Sequence, residues 1–91
     1  MALTYRIKAR ARREIEKAAA WWAANRPAAP GALRMDVEDG LKILLEQPDI
    51  GNKVETGRST QVRRLILHRT KYFLYYRVQR KELEVLALWH S

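Results

Sequence analysis

The spacing of apolar residues changes twice along this chain, and that change limits the fold more than any single residue does. Near the start, Leu3, Tyr5 and Ile7 alternate with polar residues, which is typical of a β-strand with one buried face. From residue 9 the spacing becomes three or four residues, which predicts a helix whose apolar stripe consists of Ala11, Ile15, Ala18 and Trp22. The chain is therefore expected to begin with a strand followed by a helix.

A second helix is predicted after a short turn. Asn25-Arg26-Pro27 ends the first helix, because the residue before a proline is pushed out of the helical region. The second helix is expected from about Ala32 to Glu46, with an apolar stripe of Leu33, Val37, Leu41 and Leu44 or Leu45. Gly40 in its middle suits a close approach to a neighbouring element. Two helices joined by so few residues should form an antiparallel hairpin.

The remainder of the chain returns to alternation. Residues 48–60 contain one proline and two glycines and are predicted to be an irregular connection. Three β-rich runs follow at 62–68, 72–78 and 83–90, and the connections between them contain neither Asn-Gly nor Asp-Gly, so no turn type is specified. The predicted fold is α+β in the order β-α-α-β-β-β, a single domain over residues 1–91. The last three strands form an antiparallel meander, and the helices pack on one sheet face.

Two patterns bear on which side chains share a face. Both faces of the 62–68 run are mostly apolar, so the pattern leaves open which one meets the helices. In the final strand, strict alternation groups Leu83, Val85, Ala87 and Trp89 on one face and Leu86, Leu88 and His90 on the other. Trp89 and His90 are therefore expected to point to opposite sides of the sheet.

Composition narrows the chemistry. The 91 residues include no cysteine and only two histidines, so a thiol nucleophile and a cysteine zinc site are excluded, and no metal or other cofactor is expected. The longest wholly apolar run, residues 18–24, is far shorter than the roughly 20 residues that span a bilayer, so a soluble, cytoplasmic protein without membrane contact is expected. The net charge of +8 is concentrated at the two ends of the chain and attracts nucleic acid or an acidic protein without choosing between them.

The order of these elements, with the stretch PDIGNKVETGRSTQVRRLILHRTKYFLYYRV and the terminal VLALWHS, resembles the RelE/ParE superfamily of type II toxin–antitoxin toxins. The resemblance covers nearly the whole chain. It implies a small toxin that is neutralised by a cognate antitoxin, usually encoded beside it, which wraps around the toxin. RelE-type members cleave messenger RNA on the ribosome, whereas ParE-type members inhibit DNA gyrase.

The residues favour the ParE-like branch. Metal-independent RNA cleavage needs a base, a cation beside the phosphate and an acid for the leaving oxygen. Where the resemblance to RelE-type enzymes calls for basic residues on the strands, this chain has Ile66 and Phe73, and the arginine and tyrosine expected after the last strand have no counterpart before Ser91. We therefore expect inhibition of gyrase by protein binding, without catalytic residues.

Two other interpretations stay open. One is a ribosome-dependent endoribonuclease acting on messenger RNA, with the catalytic set Arg64, His68, Lys71 and His90. The other is a binding module of the same fold that has lost toxicity.

Two contact surfaces are predicted for the ParE-like interpretation. The target-binding set combines basic residues with the terminal aromatic pair: Arg58, Arg63, Arg64, His68, Arg69, Lys71, Trp89 and His90. The antitoxin-binding set, expected to receive an acidic amphipathic segment, is Arg13, Lys17, Trp21 and Tyr75. Trp21 and Trp22 point about 100° apart on the first helix. Since Trp22 continues the apolar stripe, Trp21 is expected to be left at the surface.

Overall fold

A computed structural model of the chain describes residues 3–57 and 61–90. In chain order the elements of these two segments are β1 (Thr4–Ile7), α1 (Ala9–Asn25), α2 (Ala32–Glu46), β2 (Asn52–Val54), β3 (Val62–Ile66), β4 (Tyr72–Gln79) and β5 (Glu82–His90). The predicted α+β order is confirmed. The prediction of an irregular connection over 48–60 was wrong at β2, because a three-residue strand among polar residues is too short to show alternation. Within these segments no helix is long and apolar enough to cross a membrane.

The strands form one mixed sheet in the order β1-β5-β4-β3-β2. β1 pairs in parallel with residues 82–85 of β5, whereas the other three pairs are antiparallel. Because β1 reaches only as far as Val85, no strand of the described segments pairs with the second half of β5 on that side. Glu14 of α1 partly fills this edge, since its carboxylate accepts a hydrogen bond of 2.9 Å from the N–H of Leu88.

Both helices cover the same face of the sheet and enclose the core. Their buried side chains include Ala11, Ile15, Ala18, Leu33, Val37, Leu41 and Leu44. They pack against sheet residues that have no exposed surface: Leu74, Tyr76, Leu83 and Val85. A Cβ added at Gly40 would lie 2.9 Å from the side chain of Leu67, which confirms the close approach predicted there.

Cross-strand register assigns the faces of β3 and β4. Residues directly opposite each other on paired strands share a face. Leu65 lies opposite the fully buried Leu74 and therefore faces the helices. The alternate residues lie on the face that the helices leave uncovered, called the outer face below, and these are Arg64, Ile66, Phe73 and Tyr75.

A β-bulge interrupts the alternation in β5. Tyr75 lies opposite Ala87 whereas Tyr76 lies opposite Val85, so Leu86 is the extra residue. The strict alternation expected for this strand was therefore wrong, because one inserted residue changes which side chains share a face. Val85 faces the helices, and Ala87 lies on the outer face.

The same register settles the end of β5. Trp89 lies opposite Phe73 on the outer face, and His90 lies opposite Tyr72 on the helix-facing side. The prediction that Trp89 and His90 point to opposite sides of the sheet is confirmed.

A buried carboxylate holds the turn between β3 and β4. β3 ends two residues earlier than predicted, which places His68 in the turn. Asp36 of α2 has 3% of its surface exposed and accepts hydrogen bonds from the N–H of Arg69 at 3.1 Å, from the N–H of Thr70 at 2.7 Å and from the Thr70 hydroxyl at 2.7 Å. This one side chain therefore fixes the turn that carries His68, Arg69 and Lys71.

A buried tyrosine holds the connection between α2 and β2. The hydroxyl of Tyr76 donates to the carbonyl oxygen of Pro48 at 2.8 Å and accepts from the N–H of Gly51 at 3.0 Å. Burial raises the pKa of this hydroxyl above its ordinary value of 10.0. Arg63 supports the same connection by donating to the carbonyl oxygens of Gly51 at 2.8 Å and Asp49 at 3.1 Å.

The turn between β4 and β5 has an unusual backbone. Gln79 pairs with Glu82, so Arg80 and Lys81 form a two-residue hairpin loop. Their φ angles are 52° and 64°. Hairpin loops with positive φ at both central residues favour Asn-Gly, because glycine has no Cβ and asparagine tolerates this region, whereas most other side chains are strained there by about 1 kcal/mol or more each. The two cations therefore occupy positions that their own backbone preferences oppose.

Candidate functional site

The outer face carries a group of aromatic and apolar side chains around one arginine. We call it the outer-face cluster, and it consists of Arg64, Ile66, Phe73, Tyr75 and Trp89. The guanidinium of Arg64 lies 4.2 Å from the centre of the Phe73 ring and donates to the Tyr75 hydroxyl at 3.5 Å. Phe73 and Tyr75 contact each other edge to face with ring centres 6.4 Å apart. Since Trp89 is 54% exposed, the cluster offers a large aromatic surface beside a positive charge.

Other arginines of the outer face are paired with carboxylates. Nε of Arg77 donates to Glu84 at 2.6 Å, and Nε of Arg6 lies 3.7 Å from a carboxylate oxygen of Glu82. The hydrogen bond from Arg77 holds the pKa of Glu84 below its ordinary value of 4.5, although desolvation opposes this. Among these outer-face arginines, Arg64 is the one whose charge is met by aromatic rings.

The Glu84 pair predicts a pH dependence of stability. Because the folded-state pKa of Glu84 is depressed, its contribution is present above pH 4.5 and is lost as pH falls through the lower folded-state pKa. We expect Glu84→Gln to lower the free energy of unfolding at pH 7 and to flatten its decline below pH 4.5 in urea titrations. Glu46→Gln, a change at an exposed carboxylate, is the control. An unchanged slope below pH 4.5 in Glu84→Gln would show that the pair does not act in this way.

A cavity of about 500 Å³ opens on the opposite side, between α1 and the end of the sheet. It is called the helix-side cavity here, and it is lined by Glu14, Lys17, Ala18, Trp21, Trp22, Arg26, Tyr72, Leu88 and His90. The rings of Tyr72 and His90 form one wall, with centres 4.8 Å apart. Trp21 is 47% exposed whereas Trp22 packs against the core, as the helical stripe predicts.

Some polar groups around the helix-side cavity have hydrogen-bond partners and one does not. The carboxylate of Glu14 is engaged by Leu88 and by Arg10, whose Nε donates at 3.3 Å. Among side-chain nitrogens and oxygens of the described residues, Nε1 of Trp22 is buried without a hydrogen-bond partner. Arg26 adds positive charge 5.4 Å from the centre of the Trp21 ring. The cavity therefore combines an apolar floor with cations.

The predicted target-binding set is divided by the sheet. Arg64 and Trp89 lie together on the outer face, while His90 lines the helix-side cavity. The guanidinium of Arg63 is held against the α2–β2 connection. Arg58 lies outside the described residues.

Two further members of the set lie in or beside the β3–β4 turn. Arg69 pairs with Asp39 at 2.9 Å, and His68 lines a cavity beside α2. Lys71 follows the turn with a φ of 63° and an exposed side chain.

The alternative nuclease set does not converge in this fold. Arg64 projects from the outer face, whereas His90 projects into the helix-side cavity, so the sheet separates the cation from one of the two titratable rings. His68 lies in the β3–β4 turn. A cation and an acid must reach the same phosphate, and these positions do not bring them to one side of the sheet.

The predicted antitoxin-binding set is also only partly assembled. Lys17 and Trp21 line the helix-side cavity together, and Arg13 is exposed on the same helix. Tyr75 lies on the outer face. Sequence reasoning missed Tyr72 and Arg26 as cavity residues, although the antiparallel pairing of the last two strands already places Tyr72 opposite the chain end.

Two comparisons with known proteins find similarity, one to a protein family and one to a solved structure. A family model described as the ParE toxin of the type II toxin–antitoxin system, parDE, matches residues 5–91. Among solved structures, a chain of the chromosomal ParDE toxin–antitoxin system from P. aeruginosa is similar, with a TM-score of 0.77 over 97% of this chain and 95% of that one. The two sequences are 18% identical, so this likeness concerns the fold alone. No curated protein sequence matches the chain.

Proposed function

Because the chain belongs to the ParE toxin family of type II toxin–antitoxin systems, we propose that it inhibits DNA gyrase by binding it and is neutralised by a cognate antitoxin. The observation that supports the proposal is that two chemically different surfaces, the outer-face cluster and the helix-side cavity, lie on opposite sides of one sheet. One surface serves the target and the other serves the antitoxin.

The outer-face cluster is the proposed gyrase contact. Protein interfaces depend on a few aromatic and arginine side chains that become fully buried on binding. Trp89 and Arg64 are of these types, and Phe73 holds the Arg64 guanidinium in place through its ring face. Inhibition of this kind needs tight binding and no proton transfer, which agrees with the separation of Arg64 from His90.

The helix-side cavity is the proposed antitoxin contact. Trp21 supplies an exposed apolar anchor, and Lys17 and Arg26 supply positive charge around it. An amphipathic, acidic segment of the antitoxin meets both requirements.

Two tryptophan variants and one control, each measured against gyrase and against the antitoxin, test the proposal. In a supercoiling assay with purified gyrase, Trp89→Ala should raise the concentration for half inhibition by at least about tenfold, because a truncated interface tryptophan commonly costs more than about 1.4 kcal/mol. Trp21→Ala should instead weaken binding of the acidic protein encoded beside the toxin by a similar factor. Tyr5→Ala is the matched control, since Tyr5 is 52% exposed and lies on neither surface.

Three results would contradict the proposal. Loss of both activities in either tryptophan variant would show that the two surfaces are not separate. Unaffected gyrase together with cleavage of ribosome-bound message, read by primer extension, would establish the nuclease instead. Inactivity in both assays would identify a binding module.

A further inference from the structure

The hairpin loop between β4 and β5 keeps two cations where the backbone favours Asn-Gly. Arg80 and Lys81 have φ angles of 52° and 64°, and no glycine or asparagine relieves either position. Strained backbone positions persist only where the surrounding structure holds them, and they cluster at functional sites.

The side chains of Arg80 and Lys81 pair with no carboxylate of residues 3–57 and 61–90. Both residues are exposed, and neither forms an ion pair with any residue in the described segments. The nearest carboxylates along the chain, Glu82 and Glu84, are already engaged by Arg6 and Arg77. Four cations and two carboxylates therefore meet at this end of the sheet, and the two cations of the loop are left to act outward.

The surroundings of the loop are polar. A shallow groove of about 730 Å³ beside it is lined by Thr4, Arg6, Gln79, Arg80, Glu82 and Glu84. No aromatic residue lies in this groove or in the loop, so the type of anchor that dominates protein interfaces is lacking here. Arginine, lysine, glutamine and threonine side chains are instead the usual donors to nucleic-acid phosphates.

We propose that the β4–β5 loop is a contact site for the phosphate backbone of duplex DNA. Arg80 and Lys81 each neutralise one phosphate, and Thr4 lies beside them as a further donor. The loop lies at the opposite end of β4 from Phe73, roughly 20 Å from the outer-face cluster at the rise of an extended strand. A protein partner at the cluster and a duplex at the loop are therefore separate contacts.

Two loop variants and one control test this site without gyrase. Arg80→Asn with Lys81→Gly removes both charges and relaxes the backbone, whereas Arg80→Gln with Lys81→Gln removes the charges and keeps the positive φ angles. Lys42→Gln with Lys53→Gln removes two exposed cations from α2 and β2 and leaves the loop intact. Binding to a fluorescent 20-base-pair duplex is measured by anisotropy between roughly 50 and 200 mM salt.

Both loop variants should bind the duplex about tenfold or more weakly than the unmodified protein at roughly 0.1 M salt. The slope of the logarithm of the binding constant against the logarithm of the salt concentration should fall in magnitude by about 1.8, which corresponds to two phosphates. The control should keep the slope. The Asn-Gly variant should also melt at a higher temperature than the unmodified protein, which excludes unfolding as the cause of its weaker binding.

Equal losses in the control and in the loop variants would overturn the site, because net charge alone would then explain the binding. Unchanged duplex binding in the loop variants would overturn it as well. Unchanged duplex binding combined with weakened antitoxin binding would assign the loop to an acidic protein instead. None of these binding measurements uses gyrase. The proposal for the loop can therefore be wrong while the proposed gyrase inhibition is right, and the reverse.

Discussion

Replacing Asp36 by alanine is expected to lower the free energy of unfolding by about 3 kcal/mol. The Asp36 carboxylate is buried and accepts from two backbone N–H groups and one hydroxyl of the β3–β4 turn. Alanine removes every acceptor at once and leaves the buried N–H of Thr70 without a partner, and losses of this kind cost several kcal/mol. Urea unfolding at pH 7 measures the change.

Asp39→Asn is the matched control for this prediction. Asp39 pairs with the same Arg69 at 2.9 Å, but it is half exposed, so its loss should cost less than about 1 kcal/mol. Similar losses in the two variants would mean that the ion pair to Arg69 matters more than the bonds to the turn. Hydrogen exchange at the Thr70 amide gives a second reading, since it should become fast in Asp36→Ala alone.

Gly51→Ala is expected to destabilise the protein by about 2 to 3 kcal/mol, through crowding at a site that cannot give way. A Cβ at this position would lie 2.8 Å from the carbonyl oxygen of Arg64 and would also clash with the Tyr76 hydroxyl. The carbonyl is part of β3, and Tyr76 has no exposed surface, so neither group moves freely. Gly31→Ala is the control, because a Cβ there meets nothing within 4 Å.

The Tyr76 hydroxyl makes a double-mutant cycle informative. Tyr76→Phe alone should cost about 2 kcal/mol, since it leaves the N–H of Gly51 and the carbonyl of Pro48 without their partner. Combined with Gly51→Ala it should cost less than the sum by about 1 kcal/mol or more, because one of the two clashing groups has gone. Additive losses in urea unfolding would show that the alanine clashes only with the backbone of β3.

Local patterns predicted most of the fold, and long-range geometry accounts for the rest. The stripe on α2 and Pro48 after it predicted a helix from about Ala32 to Glu46, as the structure has it, because burial of one face imposes a single period on fifteen residues. β2 was missed since three residues cannot display a period. The bulge at Leu86 was missed because an extra residue is visible only in the register with β4, and no residue type marks it.

The sequence predicted less of the two candidate surfaces than of the fold. Helical geometry correctly separated Trp21 from Trp22, and strand geometry separated Trp89 from His90. Charge alone grouped Arg63 and Arg69 with Arg64, yet Arg63 is bonded to backbone carbonyls and Arg69 is paired with an aspartate from α2. A count of cations along the sequence does not distinguish those that face a partner from those that hold the fold.

The parallel pairing of β1 with β5 has a consequence for the order of folding. Thr4 finds its partner at Glu82, so the first strand stays without its neighbour until residues 82–85 have left the ribosome. Contacts this distant in sequence form slowly and late. Trp89 and His90 leave the ribosome later still. Pairing of β1 with β5 therefore completes the sheet only after both helices and the other strands have been synthesised.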